Sequence, residues 1–360
     1  MKYCLLWICS SLSPYNSFLF RSLNADNILD LRVVALKSND IKHPWQTDLS
    51  SGFNFRNINL FFWIDWKVLI EAVQSKTNLV VIAGWNSPTT FVLASILALM
   101  NKPFVLWTDT PDLYKRRNVL KVFFRNRWLL WVFDKAVAVM GTGSPARRAL
   151  KKMGCSDFKI VDFPFFVDLD RYNKRYESLD KQLPILFVSV GRVENKIKGH
   201  DVAIKAFSRI DRKFEWEYVI VGSGPDNKNI INLIDKYGLK NNVKVTGWME
   251  PDKVTEVLKK AQVYVHPSLR DAYPAAVLEA MAAGLPIIGS NASGSVVDRI
   301  DHNKSGLIHS AGDIDELAQH LEWTLLNVEK VFEMGKQSRL VAEKWPVSIA
   351  VRIIREILQR

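Results

Sequence analysis

The chain reads as an α/β protein built from two doubly wound parallel-sheet domains. Three observations predict this. Short apolar runs alternate with amphipathic stretches of helical length, the alternation breaks once and restarts, and glycine turns follow several of the runs. Over 360 residues, 48% are apolar and 24% charged, which suits two domains with substantial cores and argues against disorder.

In the first half the runs place strands at 3–9, 31–36, 79–83, 103–107, 135–139 and 158–161. Helices fill the gaps, among them Pro88–Met100 and one opening at Ser144-Pro145, read as an N-cap followed by proline at the first helical position. The stretch between Pro164 and Pro184 is polar, tyrosine-rich and charged, and reads as an interdomain connection. The rhythm then restarts with strand 185–190, helix 200–209, strand 217–221, a GSGP turn, helix 227–237 and strand 243–246. Helix 251–259, strand 262–265, helix 275–283 and strand 286–289 follow, and the remainder is helical through 348–360. This predicts domains 1–168 and 185–345, a linker 169–184, and a last segment 346–360 that crosses back to brace the first domain. Ligands of such sheets bind at the carboxyl ends of the strands, here facing the cleft between the domains.

Composition excludes several classes. Cys4, Cys9 and Cys155 are too few and scattered for a disulfide framework or a zinc site, and fit a reducing compartment. The apolar part of the N-terminal MKYCLLWICSS is short and lacks a small-residue cleavage pattern, so a first strand is the better reading than a signal peptide. No run reaches the roughly 18 apolar residues of a spanning helix, and the longest, Phe91–Met100, ends at Asn101-Lys102-Pro103. An integral membrane protein is not expected.

The net charge of +12 is uneven: residues 1–168 carry 21 Lys+Arg against 12 Asp+Glu, and the rest 28 against 25. Such asymmetry fits an anionic partner for the first half, or equally a basic solvated surface. Residues 115–135 concentrate it. Lys115, Arg116, Arg117, Lys121, Arg125 and Arg127 precede the first acid, Asp134, and are interleaved with Phe123, Phe124, Trp128 and Trp131. This composition suits the headgroup region of an anionic membrane. A helix packing its aromatic residues on its own sheet explains it too, and no nucleic-acid-binding module is present.

Three elements carry chemistry. Gly191 follows a strand, where a missing side chain lets the backbone approach a ligand, and Arg192 and Lys198 set two cations beside it. A diphosphate requires that combination, although glycine after a strand is often only a turn. Gly222 and Gly224 lie between a strand and a helix, where they either cradle phosphate or make a bare turn. Asp271 and Glu279 stand eight positions apart, on a loop and in the following helix, with the small residues Ala272, Ala275 and Ala276 between them. A glutamate among Leu278, Ala280 and Met281 is costly to bury unless it binds something, and the alternative is one solvated glutamate on an amphipathic helix.

Taken together, GRVENKIKGHD, VIVGSGP, VKVTGWM and the acidic-x7-Glu segment before AMAAGLPIIGS resemble the GT-B-fold retaining glycosyltransferases of family GT4, over most of 135–360. The resemblance implies two Rossmann-like domains facing across a cleft, and sugar transfer from a nucleotide-diphosphate donor with retention at the anomeric carbon. Arg192 and Lys198 would clamp the diphosphate beside Gly191, and Glu279 would bind the ribose. Asp271 would contact the transferred sugar, with backbone N–H groups of 272–276 beside it. Thr246, Gly247 and Trp248 would lie near the base. No metal or other cofactor is implied, and Asp168-Leu169-Asp170 stands in the wrong place for a metal motif. The acceptor is expected to be a glycan, lipid-linked, met at the cytoplasmic face of a membrane through 115–135.

The pattern departs from the family in three places. The first acid is Asp271 rather than glutamate, which puts the donor sugar in doubt. Ser10–Asn16 replaces a glycine-rich loop, and Trp107-Thr108-Asp109 stands where many relatives carry a histidine. Asp109 is the candidate acceptor-side residue, with a structural capping role as its alternative. A nucleotide-sugar 2-epimerase of the same fold and a non-catalytic nucleotide-sugar binder remain the rival readings.

Overall fold

Strands apolar on both faces belong in parallel sheets covered by helices on both sides, and the chain builds two of these. The computed structural model describes residues 2–37, 49–58, 64–111, 113, 118–173 and 184–360. They divide into unit 1, Met1–Phe166 with Val347–Arg360, and unit 2, Val167–Pro346.

Unit 1 runs β1 (Tyr3–Cys9), α1 (Pro14–Asn24), β2 (Leu29–Ala35), β3 (Asn54–Asn57), α2 (Trp66–Val73), β4 (Thr77–Ala83), α3 (Pro88–Leu99), β5 (Phe104–Thr108), α4 (Val119–Lys135), β6 (Ala138–Gly141), α5 (Gly143–Lys152) and β7 (Ile160–Asp162). All seven strands are parallel, in the order β3-β2-β1-β4-β5-β6-β7. Because side chains alternate across a strand, β1 feeds two cores. Leu6 and Ile8 join α2, α3 and α4 on one face, while Leu5, Trp7 and Cys9 join α1 on the other.

Unit 2 contains β8 (Ile185–Val190), α6 (Asn195–Lys198), α7 (His200–Phe207), β9 (Trp216–Val221), α8 (Asn227–Lys236), β10 (Val243–Gly247), α9 (Pro251–Lys260), β11 (Val263–His266), α10 (Ala275–Ala282), β12 (Ile287–Ser290), α11 (Gly294–Arg299), β13 (Gly306–His309), α12 (Ile314–Leu326) and α13 (Val328–Glu343). Its six parallel strands are ordered β10-β9-β8-β11-β12-β13. The final helix, α14 (Ser348–Leu358), packs into unit 1, where Ala350, Ile354 and Ile357 are buried beside Leu19 and Phe20. Arg355 also pairs with Asp26 at 2.6 Å.

The structure revises several expectations. α5 starts at Gly143, not at a Ser144 cap, because the Thr142 hydroxyl is turned to Asp109 and Ser144 Oγ accepts from Arg148. The strand expected at 135–139 begins only at Ala138, since α4 holds its helical bonding through Lys135. The linker is shorter than predicted at its start. Leu169–Asn173 belongs to unit 2, where Asp168 Oδ1 accepts from the N–H groups of Asp170 and Arg171 and Tyr172 is buried. Residues 174–183 lie outside the described residues. Ser10–Ser13 is a short loop whose Ser13 caps α1, so Pro14–Asn16 is already helix. β3 is three polar residues and Phe55 at a sheet edge, with too little apolar pattern to announce itself.

α14 should therefore be a structural part of unit 1. Ile354→Ala removes a fully buried side chain and is expected to cost about 2–5 kcal/mol, read as a lower denaturant midpoint.

Candidate active site

In unit 2 the chain leaves β8 toward β9 on one side and returns as β11 on the other. A crevice opens at such a switch point, at the carboxyl ends of the two central strands. Here those ends are Val190 and His266.

Backbone contacts bring the site together. After β8 the chain makes the single turn α6, which stops at Gly199 with φ 63°. A side chain there would be strained, and its Cβ would lie 2.1 Å from the Pro267 carbonyl oxygen. Glycine thus lets the loop after β11 cross against α6. The N–H groups of Leu269 and Arg270 both donate to Ile197 O, at 2.9 and 3.1 Å. The crossing delivers Lys198 to Asp271, where its Nζ donates to Oδ2. The Lys198 stem passes Gly191 at ordinary van der Waals distance from where a Cβ would stand. From the other side, Asp271 N–H donates to Ala292 O and its carbonyl accepts from Gly294 N–H, both at 3.1 Å.

His266 completes the cluster. It is buried at the end of β11, with Nε2 3.4 Å from Asp271 Oδ2 and 3.1 Å from Ser268 Oγ. Burial pushes the Asp271 carboxyl up, but the His266 hydrogen bond and the Lys198 charge outweigh it and hold it at about 2. Burial lowers the His266 imidazole, opposed by Asp271. His200, one residue past Gly199, is pushed down to about 3 by burial and then by the charge of Lys198.

The remaining predicted residues are placed less uniformly. Arg192 pairs with Glu194 at 3.5 Å and is a third exposed. Ala275 and Ala276 open α10 behind an N-cap, Pro274, that makes no side-chain capping bond. First-turn N–H groups have no acceptor within their own helix and are open to an external one. Glu279 sits a turn further along. Burial raises its carboxyl, while Arg171 and a hydrogen bond from Tyr172 hold it down. Thr246 Oγ1 donates to Gly247 O at 3.0 Å, and Gly247 has φ 78° at the irregular end of β10. Asp109 lies in unit 1, at the carboxyl end of β5, where Oδ1 accepts from Thr142 Oγ1 and from Thr110 N–H, both at 2.7 Å. It caps no helix.

Gly222 and Gly224 also have a packing role within the protein. A Cβ on either would strike the backbone of the neighbouring loop, at 1.8 Å from Gly191 O and 2.1 Å from Val193 O. Their N–H groups already donate to Gly247 O and Asn227 Oδ1. Glycine at both positions lets the two strand-exit loops touch.

Sequence reading missed three residues. His266 stood in plain view in the strand exit His266-Pro267-Ser268, but nothing local pairs it with Asp271. Arg171 and Tyr172 were assigned to a linker and turn out to flank Glu279.

Residues 170–341 match the family described as glycosyl transferases group 1. Over these residues, just under half of the chain, the C-terminal unit is similar to that family. Among similar proteins, the putative colanic acid biosynthesis glycosyltransferase WcaL of Escherichia coli K12 is 31% identical over 198 residues, covering 53% of this chain and 48% of WcaL. The amylovoran biosynthesis glycosyltransferase AmsK of Erwinia amylovora is 31% identical over 216 residues, covering 58% of this chain and 52% of AmsK. The chain thus spans about half the length of these relatives. Among solved structures, Anabaena HepE in complex with UDP superposes with a TM-score of 0.78 at 16% identity, covering 100% of both chains. The lipopolysaccharide outer core galactosyltransferase WaaB gives 0.75 at 15% identity, covering 99% of each. At such identities the likeness shows the fold, GT-B, with two Rossmann-like domains.

The histidines of this domain set its acid response. His200 and His266 are held neutral in the folded state, so the unfolded chain binds their protons first as pH falls below the ordinary value of 6.5. Stability is therefore expected to drop from about pH 7 downward, the His200 contribution continuing to its folded-state value of about 3. His200→Gln should flatten that part of a plot of Tm against pH.

Proposed function

We propose that this chain transfers a sugar from a nucleotide-diphosphate sugar to a glycan acceptor, with retention, in the synthesis of a cell-surface polysaccharide or glycolipid. The observation that carries the reading is the meeting of Lys198, Asp271 and the uncapped start of α10 at the switch point of the unit 2 sheet. In this reading Arg192 and Lys198 hold the diphosphate and offset the charge of the leaving group, with no metal required. The α10 N-terminus adds its outward N–H groups and dipole. Asp271 accepts hydrogen bonds from the transferred sugar, Glu279 from the ribose, and Thr246, Gly247 and Trp248 border the base. Asp109 serves the acceptor side. The family that the C-terminal unit matches supports the reading, as do relatives named for colanic acid and amylovoran biosynthesis and HepE structures carrying UDP or UDP-glucose.

A membrane-borne, lipid-linked acceptor fits α4. Its inner face buries Leu129, Val132 and Phe133, while Leu120, Phe123 and Phe124 stand 68%, 59% and 69% exposed on the other side. An amphipathic helix has no need of an outward apolar triad, and an anionic bilayer would cover it while drawing in the basic residues. Arg127 is exposed beside the triad, and Lys115, Arg116 and Arg117 lie outside the described residues. No helix of the described residues is long and apolar enough to cross a membrane.

A thermal-shift panel of UDP, GDP, ADP and their sugars tests the donor site. One nucleotide series should stabilise the wild type, and Glu279→Ala should weaken its binding by about tenfold or more. If no nucleotide stabilises the protein, the donor assignment fails. Turnover of UDP-N-acetylglucosamine without acceptor would reveal an epimerase instead. For the membrane, phosphatidylglycerol vesicles should co-sediment the wild type. Replacing Arg116, Arg117, Lys121 and Arg125 by glutamate, or Leu120, Phe123 and Phe124 by serine, should release it; unchanged binding of both variants refutes the surface.

A further inference from the structure

We infer that an incoming donor diphosphate draws Lys198 off Asp271, and that His266 takes up a proton to replace Lys198 as the partner of that carboxylate. The inference rests on the donor-site reading above and adds a residue and a proton to it.

The geometry sets up a competition. Lys198 Nζ is committed to Asp271 Oδ2, yet it is the cation that the diphosphate needs. Both side chains are largely shielded, at 21% and 13% exposure, so neither can lose its partner to water cheaply. When Lys198 turns to the diphosphate, a buried carboxylate is left beside new negative charge. The group already in place to answer is His266, whose Nε2 lies 3.4 Å from the same Oδ2 atom.

The groups around His266 point the same way. Lys198 of α6 opposes its protonation from one side. His200 of α7 and His309 of β13 are both buried and both lowered chiefly by burial, so neither is a charged neighbour at neutral pH. Tyr264, on the same strand, stacks against the ring at 6.1 Å, and its hydroxyl donates to Val190 O rather than to the cluster. Asp271 is the only carboxylate at the ring among the described residues. With Lys198 beside Asp271 the imidazole stays neutral. With Lys198 withdrawn and a diphosphate nearby, its pKa rises, and the proton comes from solvent. His266 acts through Asp271 and is thus a positioning residue. Affinity for the donor should fall as pH rises through the pKa of the bound state.

Isothermal titration of the full chain with UDP-glucose, GDP-mannose and ADP-glucose, in two buffers of different ionisation enthalpy, counts protons directly. These diphosphate diesters have no group of their own titrating near neutral pH. The wild type is expected to take up a substantial fraction of one proton on binding its nucleotide sugar. His266→Gln, which keeps a hydrogen-bonding side chain, should bind with no uptake and lose the pH dependence of Kd. Asp271→Asn should also show no uptake, and should bind sugar-free UDP or GDP about fivefold tighter because Lys198 is already free. A purely structural role for Asp271 predicts weaker binding instead. The wild-type proton count needs no variant to fold. Donor binding without proton uptake overturns this inference and leaves the donor site standing, whereas no binding of any nucleotide sugar overturns both.

Discussion

Removing a carboxylate from water costs several kcal/mol unless a cation and hydrogen bonds meet it in good geometry. Asp271 is the residue of unit 2 where that constraint organises most else. Its carboxylate is met by Lys198 and His266, and its backbone is tied to Ala292 and Gly294. To satisfy one buried charge, the exits of β8, β11 and β12 must converge. The ends of three parallel strands become one site because none of the loops can move without stranding it.

Glycine makes that convergence sterically available. Gly199 admits the Pro267 carbonyl, and Gly222 and Gly224 admit the backbone of Gly191 to Val193. A glycine that looks in sequence like a place for phosphate can thus also be a place for the protein's own chain. Gly191 differs, since a Cβ there would only touch the Lys198 stem at van der Waals distance.

Unit 1 shows a different constraint at work. Its sheet is covered on both faces, and α14 returns from the far end of the chain to complete one of them. α4 covers the other face with Leu129, Val132 and Phe133, yet carries a second apolar group outward. Hydrophobic burial inside the unit accounts for the first set only. The outward set is not covered among the described residues.

Period and punctuation made much of this legible beforehand. Continuous apolar runs such as Tyr3–Cys9 and Ile185–Val190 announced buried parallel strands, and Pro88 and Pro251 marked helix starts, because these are properties of neighbouring residues. Residue type likewise singled out Arg192, Lys198, Asp271 and Glu279. Tertiary structure alone decided their partners. Lys198 and Asp271 are 73 positions apart, and their contact follows from strand order and from a loop crossing at Gly199. The partners of Glu279, Arg171 and Tyr172, lay in a stretch too polar to suggest packing. Local pattern records what a residue can be, while the identity of its neighbour depends on which strands the sheet sets side by side.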